Sequence, residues 1–311
     1  MPLHLSDHWV WDSWTAFDGD QYHLFFLRAS RALVDPERRH GRAAIGHAVS
    51  PDRRSWTLVA DALVAEDGPR WDDRSTWTGS VVQAPDGTWR LFYTGTSRAD
   101  GGLVQSIGWA TSPDLLTWTR SDAEPILADP RWYEKVDGGT WPDEAWRDPF
   151  VFADPGGDGF HMLVTARAKD GDPDGRAVVG HVTSPDLETW TVQPPLSAPA
   201  GFGQMEVVQS RVVDGQPVLM FSCTPKDVLR PDAADPAATG TWVAPGESLL
   251  GPWDLDRATY VASPDVYAAQ LVEDVDGRSA VYGFVDTVDG EFVGAIADPT
   301  PWDEVVLGRP W

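Results

Sequence analysis

Three acidic residues interrupt apolar, aromatic runs. Asp12 lies in Trp9-Val10-Trp11-Asp12-Ser13-Trp14, Asp148 in Trp146-Arg147-Asp148-Pro149-Phe150, and Glu206 in Gly203-Gln204-Met205-Glu206-Val207-Val208-Gln209. Burying a carboxylate is costly, so such placement is less often accidental than the same residue on a surface. Carboxylates brought together shift one another's pKa. One can then protonate a leaving oxygen while another attacks carbon or activates water, which is the chemistry of glycosidic bond cleavage. Each acid alone also has an ordinary reading. Asp12 could accept an indole N–H, Arg147-Asp148 could be a local ion pair ahead of Pro149, and Glu206 could sit half exposed on an edge. Recurrence in three places weakens all three readings together. The surrounding indoles suit sugar binding, because sugar C–H faces stack on flat rings, although indoles also fill cores.

Acids so far apart in sequence need a scaffold that brings them to one point, and the chain shows one as internal repeats. A turn followed by an apolar strand occurs five times, beginning at Asp18-Gly19, Asp86-Gly87, Asp158-Gly159, Asp214-Gly215 and Asp276-Gly277. Asp-Gly suits a tight hairpin because glycine accepts positive φ without steric cost. One strand further on, a second unit recurs. Ile45-Gly46-His47-Ala48-Val49-Ser50-Pro51-Asp52 leads to Trp56, and equivalent Ser-Pro-Asp turns at Ser112 and Ser184 lead to Trp118 and Trp190. Leu249-Leu250-Gly251-Pro252-Trp253 reads as a degenerate fourth copy. A period of roughly sixty residues fits a four-stranded blade. No amphipathic helical pattern competes. The expectation is an all-β, five-bladed β-propeller using residues 1–311 as one catalytic domain, with Pro231 to Pro236 as a surface loop. Each acid falls in the first strand of its blade, upstream of the Asp-Gly turn, and the three read as sharing one register.

Composition narrows the partners. The net charge of -24 repels phosphate backbones and anionic lipid, which argues against nucleic-acid and membrane partners and is compatible with a neutral sugar. The single cysteine, Cys223, sits in an apolar strand and reads as a buried structural thiol. The seven histidines show no metal-ligand spacing, and His23, His161 and His181 read as strand residues. Catalysis by two carboxylates calls for no metal or organic cofactor. The N-terminal residues lack a signal-peptide pattern, so the expected location is cytoplasmic.

These segments resemble the glycoside hydrolase clan of levansucrases, invertases and inulinases, families 68 and 32. Val10-Trp11-Asp12-Ser13-Trp14 looks like the levansucrase nucleophile segment. Trp77-Thr78-Gly79-Ser80 resembles a Trp-Ser-Gly-Ser motif, Leu91-Phe92-Tyr93-Thr94-Gly95 resembles the strand after it, and Arg147-Asp148-Pro149 matches the Arg-Asp-Pro motif. The resemblance implies that Asp12 is the nucleophile, Asp148 the transition-state stabiliser and Glu206 the general acid/base. It also implies that Trp11, Trp77, Ser80 and Arg147 bind the fructosyl ring. Val207-Val208-Gln209 after the acid departs from the family pattern, and the chain reads as a compact, single-domain member. The implied activity is retaining hydrolysis or fructosyl transfer on β-fructofuranosyl substrates through a covalent intermediate. On that mechanism Glu206 carries a raised pKa while Asp12 stays ionised. Retention needs the two carboxyl groups about 5–5.5 Å apart, and about 6.5 Å or more marks inversion. An inverting arabinan-type (family 43-like) furanosidase and a non-catalytic sugar-binding propeller are the alternatives.

Overall fold

A computed structural model describes residues 2–137, 139–229, 240–273 and 276–308. The 231–236 segment, read from sequence as a loop, lies outside the described residues. The strands form five antiparallel sheets. Blade one is His8–Phe17, Tyr22–Ser30, Ala44–Ser50 and Thr57–Leu58. Blade two is Ser75–Gln83, Trp89–Thr96, Gln105–Ser112 and Thr119–Arg120. Blade three is Trp146–Ala153, Phe160–Arg167, Ala177–Ser184 and Thr191–Gln193. Blade four is Glu206–Val213, Gln216–Ser222, Thr241–Pro245 and Thr259–Ser263. Blade five is Tyr267–Glu273, Ser279–Val288, Glu291–Ile296 and Thr300–Pro301. The first strand of each blade contacts the first strand of the next, and blade five contacts blade one, so the sheets close into a five-bladed β-propeller. The core lies between blades. Phe92 and Trp109 of blade two pack with Met162 and Val164 of blade three, and Leu163 and Val179 of blade three pack with Leu219 and Phe221 of blade four.

Local chemistry explains the repeat. All five Asp-Gly glycines adopt positive φ, at 103°, 85°, 103°, 79° and 78° in chain order. At Gly19, Gly87 and Gly215 an added Cβ would meet nothing, so the backbone angle, not space, selects glycine there. In the Ser-Pro-Asp turns, Asp52, Asp114 and Asp186 each accept two backbone N–H groups from the residues that follow. The indoles of Trp118 and Trp190 donate to the carbonyls of Leu115 and Leu187, which locks each corner. Trp253 is buried between the third and fourth strands of blade four, where the degenerate copy was expected.

The two chain ends join the ring differently. Leu3 bridges Ile296, with paired backbone bonds of 2.9 and 3.0 Å, alongside the third strand of blade five. Arg31 adds a side-chain clasp, donating to the carbonyls of His8 (3.1 Å) and Val293 (2.9 Å). Val306–Leu307 adds instead to the outer strand of blade four. His23 stacks on His47 inside blade one and His161 on His181 inside blade three, each pair with a ring-nitrogen contact of 2.9 Å. Cys223 is fully buried, and burial raises its thiol pKa.

Candidate active site

Each first strand carries one irregularity at the same place. The ladder shifts between Trp11 and Ser13, Trp77 and Gly79, Glu206 and Gln209, and Tyr267 and Gln270, and in blade three opposite Arg147 to Phe150. A bulge of this kind bends the strand and re-aims side chains. The bulged residue has positive φ in four blades: Asp12 (27°), Asp148 (57°), Val207 (51°) and Ala268 (46°). Side-chain hydroxyls of the preceding blade hold three of these backbones. Thr94 Oγ1 accepts from Asp148 N–H (2.9 Å), Thr165 Oγ1 from Val207 N–H (3.1 Å) and Ser222 Oγ from Ala268 N–H (3.0 Å). Gly79 serves the bulge in blade two, where an added Cβ would lie 1.9 Å from the Phe92 carbonyl oxygen.

The bulges correct the register read from the sequence. Asp12 and Asp148 are bulged residues, whereas Glu206 sits one position earlier, equivalent to Trp11, Trp77, Arg147 and Tyr267. All five of those residues line a cavity of about 520 Å³, together with Asp12, Thr78, Asp148 and Val207. The structure therefore brings Asp12, Asp148, Glu206, Arg147, Trp11 and Trp77 to one site.

Ser80 is not among them. Its side chain is buried between blades two and three, where the hydroxyl accepts from the Val151 backbone N–H at 3.0 Å. Two residues past the bulged Thr78, it serves the blade interface. Ser80→Ala should therefore leave KM within about twofold of wild type and cost about 1–2 kcal/mol of stability. Steady-state kinetics and thermal melting check both halves.

The ordinary readings of the acids meet a different set of contacts. Asp12 Oδ2 accepts from Thr78 Oγ1, not from an indole. Asp148 Oδ2 lies 3.6 Å from Arg147 Nε, but it accepts from Thr165 Oγ1 at 2.8 Å and from Val207 N–H at 3.2 Å. Arg147 turns its shorter bonds to Glu206 Oε1 (2.8 Å), Gln204 Oε1 (2.7 Å) and Gln105 Oε1 (3.0 Å). The second oxygen of Glu206 accepts from the Tyr267 hydroxyl at 2.5 Å.

Burial governs the electrostatics. It pushes Asp12 up to about 7, reinforced by the Asp148 charge and partly opposed by the Thr78 bond. Asp148 is pushed up to about 6 by burial, which Arg147 opposes and Glu206 reinforces. Asp12 is thus desolvated beside a second carboxylate, and it is ionised only as the pH rises through about 7. Burial alone would favour loss of the Arg147 proton, but the carboxylates of Glu206, Asp143 and Asp148 outweigh it. Burial and the Glu206 charge raise the Tyr267 phenol well above its ordinary value, so it stays a donor. His40, lowered to about 4 by burial and by Arg39, is neutral at pH 7. Its backbone carbonyl fixes the Trp77 indole at 2.8 Å, while the Arg39 guanidinium lies 4.0 Å over Phe292. Among the described residues no group of three His, Cys, Asp or Glu side chains could hold a metal ion. No helix there is long and apolar enough to cross a membrane.

Tyr267 and Thr78 are site residues that the search for acids passed over. The first strand of blade five carries an acid only at its far end, Glu273, yet its place in the repeat puts Tyr267 level with Glu206. Tyr267→Phe should lower kcat about tenfold with little change in KM, since it removes a hydrogen bond to one carboxylate and no wall of the cavity. A loss confined to KM would contradict this placement.

Residues 13–304 match the family described as Glycosyl hydrolases family 32 N-terminal domain. Beta-fructofuranosidase 1 of Zea mays is 33% identical over 162 residues, which are 51% of this chain and 22% of the maize protein. The chain therefore matches under a quarter of that relative's length. An inulosucrase from Halalkalicoccus jeotgali bound to kestose superposes with a TM-score of 0.76 at 20% identity, covering 98% of this chain and 88% of that one. Bacillus subtilis levansucrase superposes with a TM-score of 0.67 at 16% identity, covering 95% and 83%. At these identities the superpositions show the fold alone.

Proposed function

Because the chain belongs to glycosyl hydrolases family 32, we propose that it is a retaining β-fructofuranosidase or fructosyltransferase acting on sucrose or short fructans. The observation that carries this reading is the convergence of Asp12, Asp148 and Glu206, with Arg147, on one cavity flanked by Trp11 and Trp77. Asp12 attacks the anomeric carbon as the glycosidic C–O bond breaks, and Glu206 gives its proton to the departing oxygen. Glu206 then takes a proton from water or an acceptor sugar, whose oxygen bonds the same carbon and displaces Asp12. Asp148 does not react. Held by Thr165 and Val207, it accepts from sugar hydroxyls and faces the charge that develops on the ring. Arg147 orients Asp148 and Glu206, and the two indoles cover the apolar face of the sugar.

The test is sugar release from sucrose and from a fructosyl-sucrose trisaccharide, with the first-formed anomer read by NMR. Free fructose of retained configuration, or new fructosyl oligomers, supports the proposal. The glucose-to-fructose ratio then separates transfer from hydrolysis. An inverted first product would move the chain to an arabinan-type mechanism, and no release from any furanoside would leave a sugar-binding propeller.

The pKa of Asp12 fixes an expected pH dependence. The nucleophile must be ionised, and its carboxyl gains a proton as the pH falls through about 7. Since kcat/KM reports the free enzyme, its acid limb should lie near pH 7 and descend toward pH 5. A flat profile over pH 5–7 would contradict that assignment.

A further inference from the structure

The first strands run on past the active site, and their far ends meet a second cavity. Residues 15–17, 209–213 and 270–273, with Phe152, line this space of about 590 Å³. It shares no lining residue with the cavity that holds the acids.

Two guanidinium groups line it in a chain whose formal charge is -24. Arg53 stands on the first Ser-Pro-Asp turn at φ 57°, buried, with its guanidinium 4.3 Å from the centre of the Tyr22 ring. Arg211 projects from the first strand of blade four, 5.0 Å from the centre of the Phe150 ring. Water reaches Arg211, yet the surrounding protein desolvates it enough to lower its pKa, as expected of a cation inside an open cavity. Among the described residues it makes no hydrogen bond or close ion pair, and the opposing charge is Glu273 on the cavity wall. A partly desolvated guanidinium gains most from a planar, bidentate oxyanion, which the flat arginine fork fits and a lysine would not.

We propose that this cavity is a second ligand site, distinct from the fructosyl site, which takes a small oxyanion of the phosphate or carboxylate type on Arg211, with the buried Arg53 adding positive charge to the wall. Glu273 competes with the ligand for Arg211 and keeps the site weak until an anion displaces its influence.

The test is isothermal titration of the whole protein at low ionic strength with inorganic phosphate, with citrate and with glucose. One equivalent of phosphate or citrate should bind saturably, and the tighter of the two names the class. Arg211→Met, which keeps the packing on Phe150, should weaken that binding about tenfold or more. Asp12→Asn should leave it unchanged. Glu273→Gln should tighten it about fivefold by removing the competing charge, and this variant decides the matter if Arg211→Met melts abnormally. Four results would overturn the proposal: no saturable anion binding, glucose binding as tightly as the anions, unchanged affinity in Arg211→Met or Glu273→Gln, or loss of binding in Asp12→Asn, which would put the anion among the catalytic acids.

Discussion

Asp12→Asn yields a propeller that folds, melts higher than wild type at pH 8, and turns over sucrose at least ~10⁴-fold more slowly. Lost turnover follows from the proposed chemistry, because a neutral amide cannot make the covalent bond to the anomeric carbon. The gain in stability follows from the site. Asp12 is desolvated beside Asp148, and its folded-state pKa is raised to about 7 from an ordinary 3.8. A carboxyl raised in this way stabilises the fold fully below its unfolded pKa and loses that contribution as the pH rises through the folded one. At pH 8 the wild type therefore carries a charge that the fold disfavours, and asparagine does not. The difference should be on the order of 3 °C in Tm at pH 8 and should vanish near pH 4. Activity within tenfold of wild type would remove Asp12 from the nucleophile role. A melting advantage independent of pH would show that the gain does not come from charge.

Glu206→Gln should separate the two halves of the reaction. On sucrose, whose leaving oxygen needs a proton, kcat should fall about 10³-fold or more. On an aryl fructoside, whose phenolate departs unaided, the first step should be far less affected. The slow step then becomes attack on the intermediate, since water has lost its base. Azide, which needs no deprotonation, should restore turnover and give a retained fructosyl azide. Equal losses on both substrates, with no azide rescue, would assign the acid elsewhere. Tyr267 would then be the next group to examine, because its phenol sits 2.5 Å from the Glu206 carboxylate.

What could be read in advance was local, and what could not was relational. Asp-Gly turns declared the blades because positive φ is a property of one residue, and all five glycines adopt it. Arg147-Asp148-Pro149 declared a site strand because its composition is unusual in itself. The one-residue offset of Glu206 could not be seen, because a bulge changes the count along a strand without leaving a residue type as its mark. At that position the four blades with positive φ carry Asp, Asp, Val and Ala. Ser80 misled for a related reason: the motif around it points to the site, but the strand had already turned that side chain toward Val151. Tyr267 was hidden because the search followed acids, not the position that every blade repeats. The pKa of Asp12 depends first on its burial in the assembled ring and then on Asp148, more than a hundred positions away in the chain, so no local reading could have supplied it.

Four of the five seams between blades are spanned by the chain itself, but the seam between blades five and one is closed without a covalent crossing. There the ring behaves like a belt with a buckle: the Leu3–Ile296 bridge is the pin, and Arg31, reaching the Val293 carbonyl, is the keeper loop. Tyr267 and Phe292 stand on one side of that buckle and Trp11 and Asp12 on the other, so Asp12 sits at the joint where a closed circuit would open first.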